Sequence, residues 1–330
     1  MCHLCTIPPK LPALHTFTSA RSAFDACIKM SAFKAANRDR EAWFDGLTQE
    51  QARQWSYEGC NAIVPQIEET MALMDAELPT LSIEHTMGIA GYCPDIPLFL
   101  SSDPECMRSV HYDAAATGAI NIAVCLESGC RQCDNINCLC EPIDANSVKL
   151  RGAAVLSLVA RLSAIRPVNL IALHTVHGHT LESETDKQFF YRRRHRDYQS
   201  TAALAVQINT APLDLASAGF VLCNVGFARA VLYGLHVRGQ KARKTSVSGA
   251  PAAGLTFAAI LDDDGRRVNV RDMTGDKEME SRYCQGIRRM LGWDAADSLI
   301  VPPTQEHMSS AEDAIAWVKD RLAVLMPAEA

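Results

Sequence analysis

Four cysteines fall within eleven positions of the run SGCRQCDNINCLCEP, residues 128–142, and no other stretch of the chain makes so specific a chemical demand. Cys130 and Cys133 stand at the spacing at which two thiolates bind one metal ion while backbone amides of the turn point at the sulfurs. Cys138 and Cys140 complete a set of four. Four thiolates select zinc or an iron centre over hard cations, and they leave no coordination position that substrate must fill. The same residues also suit a loop of free or transiently oxidised thiols, or redox chemistry. Cys-x-Cys is a less usual second half than Cys-x2-Cys, and the intervening RQ and DNIN are turn formers that let the chain fold back on itself. If zinc binds here, its expected role is to brace a loop.

Two further groups carry chemistry. His174, His177 and His179 close the run PVNLIALHTVHGHT, and His177-Gly-His179 places two imidazoles on one side of an extended chain. They suit zinc binding or general-base work, with Glu182 or Glu184 as the orienting acid. The alternative is a hydrogen-bonded loop. In FFYRRRHRDYQ, Arg192, Arg193, Arg194 and Arg196 stand among Phe189, Phe190, Tyr191 and Tyr198. Cations interleaved with aromatics suit a nucleic-acid backbone and its bases, whereas a solvated basic face ahead of a strand needs no ligand.

These residues need elements to hold them. Residues 1–12 carry tandem prolines and no periodicity, which predicts an extended arm. From residue 13 to 78 apolar residues recur at helical spacing, and Thr48-x-x-Gln51 reads as a capping box. From 79 to 330 strands and helices alternate in one α/β domain. HTMGIAG and MRSVHYDAA read as short strands flanking the surface turn YCPDIPLFLSSDPEC. GAINIAVCLE is a buried strand, SVKLRGAAVLSLVARLSAI an amphipathic helix capped by Asn146 or Ser147, and PVNLIALHTV a second buried strand. Strand, helix, strand with continuously apolar strands predicts a mostly parallel sheet flanked by helices. STAALAVQIN, GLTFAAILDD and DSLIVPP extend the strand pattern, and AEDAIAWVKDRLAVLM the helical one. The thiol run thus leaves the carboxyl end of a strand and leads into a helix, where α/β proteins place ligands. Neither a dinucleotide fingerprint nor a P-loop is present.

Bulk properties narrow the classes. With 330 residues, 48% apolar and 21% charged, the chain can bury a substantial core without disulfides. A net charge of −6 argues against coating nucleic acid by charge alone, though a local basic patch remains compatible with it. No membrane span or secretory segment is expected. Of the 13 cysteines, Cys27, Cys125 and Cys223 sit singly in apolar runs and should act as small hydrophobes.

Gly91, Pro94, Asp95, Leu100, Pro104, Glu105, Cys106 and Met107, followed after the strand by Arg151, Gly152, Ala153 and Ala154, form a pattern that resembles an uncharacterised family encoded by bacteriophages and other bacterial mobile elements. The likeness spans roughly residues 40–235. The strand, loop and helix resemble in turn a von Willebrand factor A-like, Rossmann-like domain, whose first loop carries Asp-x-Ser-x-Ser around magnesium. This chain has Leu126, Ser128 and Cys130 at those places, so magnesium-dependent adhesion does not carry over. Arg151 is expected to pair with an acid such as Asp95 or Glu105.

The resulting expectation is a non-enzymatic interaction or accessory protein of a phage or mobile element, acting in the bacterial host cytosol, with a zinc-braced loop at the sheet edge and another protein as partner. A metal-dependent nucleic-acid-processing enzyme using His174, His177 and His179 is the first alternative. A virion structural component is the second.

Overall fold

The computed structural model describes residues 13–34, 44–77, 85–89, 93–94, 96–110, 118–126, 145–180, 200–236, 245–246, 259–261, 267–269, 277–303 and 310–325. The central sheet runs in the order β1 (Ala13–Phe17), β7 (Ser200–Ile208), β6 (Val168–Thr180), β5 (Ile120–Cys125) and β11 (Ser298–Val301). β1 pairs parallel with β7, β6 with β5, and β5 with β11, while β6 and β7 are antiparallel. The short β8 (Thr245–Ser246) pairs with the end of β6. The α/β class and the mostly parallel sheet expected from the apolar strands are therefore present.

The interior strands read as continuous apolar runs because both of their faces are buried. Ile120, Ile122 and Val124 of β5 enter one core, with Leu170 and Ala172 of β6. Ala123 and Cys125 enter the other, with Leu173, Ala203 and Ala205. The first core is closed by α1 (Ala20–Lys29), α3 (Val64–Glu77), α5 (Ala145–Ser163), α6 (Leu215–Cys223) and α8 (Ala311–Leu325). The second is closed by Tyr283, Cys284 and Ile287 of α7 (Lys277–Leu291). Outside the central sheet, β2 (His85–Gly88), β4 (Met107–Val110) and β3 (Cys93–Pro94) form a small antiparallel sheet, with α4 (Ile96–Leu100) between β3 and β4. β9 (Ala259–Leu261) and β10 (Arg267–Asn269) pair antiparallel.

Residues 13–77 hold one strand and three helices, and their buried side chains join the first core. The run from Thr48 to residue 78 is divided after α2 (Gln49–Glu58), at Gly59, whose φ of +79° favours glycine. A Cβ there would lie 2.6 Å from that of Ala216, and the Cys60 amide donates to the Ala216 carbonyl at 3.0 Å. Docking against α6 thus ends α2, and a short 3₁₀ turn (Asn61–Ile63) leads into α3.

The capping box is formed as expected. The Gln51 amide donates to Thr48 Oγ1 at 3.1 Å, and the Thr48 amide donates to Gln51 Oε1 at 2.9 Å. Thr48→Ala is expected to cost about 1 kcal/mol, read as a lower urea midpoint at unchanged slope.

α5 starts at Ala145, so Asn146 and Ser147, the expected caps, lie inside its first turn. Within α5 the buried Gly152 faces α6 directly: a Cβ there would lie 2.8 Å from the Leu222 carbonyl oxygen and would meet the Cys223 sulfur. α6 is followed by a π-helical turn (Phe227–Leu232), all six of whose residues are buried.

No single described helix is long and apolar enough to cross a membrane. The bent pair Leu215–Cys223 and Phe227–His236 has the length and composition to do so, but most of it belongs to the first core.

Candidate functional site at the carboxyl ends of the parallel strands

β5 ends at Cys125 in the interior of the sheet, flanked on both sides by parallel neighbours. Leu126 continues it for one residue, its amide donating to the Leu173 carbonyl at 2.7 Å. At 3% exposure, the Leu126 side chain is core and offers nothing to an ion at the leading position of an Asp-x-Ser-x-Ser loop. The chain returns at Ala145 as the first turn of α5. The segment between them thus begins at the carboxyl end of an interior strand and ends at the start of the longest described helix. Cys130, Cys133, Cys138 and Cys140 fall in this segment, outside the described residues, as do Ser128, Glu127, Asp134 and Glu141.

Arg151 projects from α5 to the same end of the sheet. It is 1% exposed, and its Nη1 donates to the carbonyl of Pro302, just beyond β11, at 3.5 Å. Of the acids expected to pair with it, Asp95 lies outside the described residues and Glu105 is exposed. Among the described residues, the Nη1 contact ties α5 to the end of β11.

The buried cysteines among the described residues behave differently from a thiolate donor set. Cys27, Cys60, Cys125, Cys223 and Cys284 are all buried. Burial pushes the thiols of Cys27, Cys223 and Cys284 up to about 12 and also raises that of Cys60. These thiols stay protonated at neutral pH and pack as small hydrophobes, as the apolar runs around Cys27, Cys125 and Cys223 imply. Among the described residues no group of three or more His, Cys, Asp or Glu is arranged to hold a metal ion.

The three histidines occupy one strand in two settings. His174 is 1% exposed inside the first core, so its ring has no access to a substrate at the surface. It belongs to the even-numbered register of β6, which includes Leu170 and Ala172, whereas positions 177 and 179 belong to the odd-numbered register. His177 pairs with Thr201 of β7 and His179 with Ser246 of β8; their side chains lie outside the described residues. Glu182, Glu184 and the run containing Arg192, Arg193, Arg194 and Arg196 also lie outside them.

A buried aromatic cluster around His174 went unmarked in the sequence. The His236 ring lies 5.1 Å from the His174 ring, centroid to centroid, and that of Tyr233 lies 6.1 Å away. His236 Nε2 donates to the His174 carbonyl at 3.0 Å, which fixes the proton on that nitrogen. Among the described residues, neither ring nitrogen of His174 has a hydrogen-bond partner. Burial, reinforced by His236, holds its pKa well below the ordinary histidine range. The available signal was GLHVR at the end of a long apolar run, but the pairing spans 62 residues and is invisible to local periodicity.

Fold and geometry define an α/β protein in which the cysteine-rich segment follows directly on an interior strand with parallel neighbours. The chain belongs to the family described as Domain of unknown function (DUF7192), whose model matches residues 9–295. No curated protein and no solved structure matches it.

Proposed function

We propose that this chain is a non-enzymatic interaction or accessory protein, encoded by a phage or related mobile element and acting in the host cytosol. In this reading Cys130, Cys133, Cys138 and Cys140 hold one zinc ion that braces the loop after β5, and the braced loop presents a partner-binding edge. α1, α2 and α3 form an amino-terminal helical layer beside a von Willebrand A-like sheet that has lost the magnesium site. The observation that carries the reading is the loop's attachment: it leaves an interior strand with parallel neighbours on both sides, the position where α/β sheets place ligands. A loop anchored there gains a fixed shape from a tetrahedral metal without a core of its own.

Two features support a bracing role over a catalytic one. A set of four thiolates leaves no open position for substrate. His174, one of the three histidines an enzyme would use, is committed to the core.

Metal analysis of the purified chain tests the reading. We expect about one zinc per chain, lost in Cys130→Ser/Cys133→Ser and retained in His177→Ala/His179→Ala. Loss with the histidine pair and retention without the two cysteines would instead place the metal in a histidine site and favour the nucleic-acid-processing alternative.

A further inference from the structure

Among the described residues, α4 exposes an apolar face. Ile96, Phe99 and Leu100, at positions i, i+3 and i+4 and so on one side of the helix, are 58%, 59% and 76% exposed. Ile89, at the end of β2, is 80% exposed. Ile96, Phe99 and Leu100 together expose on the order of a few hundred Å² of apolar surface, comparable to the largest apolar patch on a typical monomer, which is often functional.

α4 is closed at its carboxyl end by backbone hydrogen bonds. The Ser102 and Asp103 amides donate to the carbonyls of Phe99 and Leu98, at 3.1 and 3.0 Å, with Ser102 at a φ of +62°. This is a Schellman closure of the helix, and Asp103 then accepts from the Glu105 amide at 2.9 Å. The α4 face is thus a fixed apolar knob with Asp103 and Glu105 beside it.

The same chain carries an open recess. Between α1 and α2 lies an open cavity of about 600 Å³ whose apolar wall is Phe24, Ile28 and the Tyr57 ring. Its two acids are already engaged: Asp25 accepts from the Tyr57 hydroxyl at 2.7 Å, and Glu50 accepts from Arg53. Lys29, on the rim, has no ion-pair partner among the described residues, and Arg21 lies over the Tyr57 ring at 4.3 Å. Asp25 also pairs with Arg21 at 3.9 Å and Glu50 with Arg53 at 2.6 Å, which leaves Lys29 as the lining cation without an ion-pair partner among the described residues, whereas Asp103 and Glu105 follow the knob.

We infer that the α4 knob of one molecule docks into the α1–α2 recess of a second copy of this chain, apolar face to apolar wall, with Asp103 and Glu105 facing Lys29. Knob and recess are both exposed in the folded chain, so they do not fill one another within a molecule. Two different patches in contact make a head-to-tail interface, which closes only if the rotation allows and otherwise extends. An apolar patch on the order of a few hundred Å² falls short of the roughly 800 Å² per partner of a stable complex, so the expected association is weak and concentration-dependent. This gives the interaction reading a partner and is independent of zinc.

Sedimentation velocity of the full chain between about 1 and 100 μM, a range suited to weak contacts, provides the test. The wild type should grow in mean mass with concentration. Phe99→Asp/Leu100→Asp, which lacks a knob, and Ile28→Glu, which lacks a recess, should each lose association at least tenfold. An equimolar mixture of the two should form a dimer and nothing larger, because one intact knob and one intact recess remain. Lys29→Glu, at an exposed site, provides a second recess variant should Ile28→Glu fold poorly. A wild type that stays monomeric throughout, association that both variants leave unchanged, or variants that fail to pair when mixed would each overturn the inference.

Discussion

Gly152→Ala should lower the stability of this protein by about 2 kcal/mol, although helix propensity alone predicts a gain of about 1 kcal/mol for the same change in a helix interior. The sign is decided by the space between α5 and α6. The added Cβ would sit 2.8 Å from the Leu222 carbonyl oxygen and 2.9 Å from its carbonyl carbon, and would also meet the Cys223 sulfur. Two of these neighbours are backbone atoms of a helix whose residues from Ala218 to Cys223 are buried, so neither can step aside cheaply. Either the two helices separate, losing contacts on both sides, or the clash is borne as strain; overpacking of this kind costs about 1–3 kcal/mol. Gly152→Val adds a branched side chain to the same gap and should exceed about 3 kcal/mol or abolish folding. Urea midpoints of the purified variants provide the check. A Gly152→Ala protein as stable as wild type, or more stable, would mean that α5 and α6 are not in this close contact.

Acidification should weaken the fold through His174. Its folded pKa lies well below 6.5 because the ring is buried beside His236 and Tyr233, and its nitrogens have no hydrogen-bond partner among the described residues. The unfolded chain therefore takes up a proton near pH 6.5 that the folded chain refuses. More protons on the unfolded state means that stability rises with pH. The His174 contribution is fully present above about pH 6.5, and between there and the depressed folded value it is lost at about 1.4 kcal/mol per pH unit. His174→Phe keeps an aromatic ring in the core and removes the titration. When urea stability is compared between about pH 7.5 and pH 5.5, the wild type should lose roughly 1 kcal/mol more than His174→Phe does. Parallel losses would show that His174 is not the group responsible.

Much of the architecture was legible because burial on both faces leaves strands as uninterrupted apolar runs: β5, β6, β7 and β11 all correspond to such runs. β1 did not stand out, since ALHTF is short and its pairing partner β7 lies far along the chain. The helical run after Thr48 looked continuous because the break at Gly59 arises from its approach to Ala216, a tertiary event absent from local periodicity. α7 was missed although KEMESRYCQGIRRML places Tyr283, Cys284 and Ile287 on one face; its many charged residues disguised a helix that buries only a narrow stripe. The same limit applies at the site. The proposed thiol site rests on the spacing of Cys130, Cys133, Cys138 and Cys140 alone, whereas the strand that precedes them is written in GAINIAVC. The burial of His174 against His236 depends on packing between distant segments. The α4 knob was legible only as a proline-bounded surface turn: Pro97 sits at the start of the helix, where its missing amide costs nothing, and the exposure of its apolar neighbours is a property of the fold.

X-ray absorption at the zinc edge examines the thiol site most directly. Purified, zinc-replete protein should show a single shell of four sulfur ligands at about 2.3 Å, and Cys138→Ser should convert one of them to a lighter atom. A shell dominated by nitrogen or oxygen, or a chain that binds no stoichiometric zinc, would contradict the braced loop.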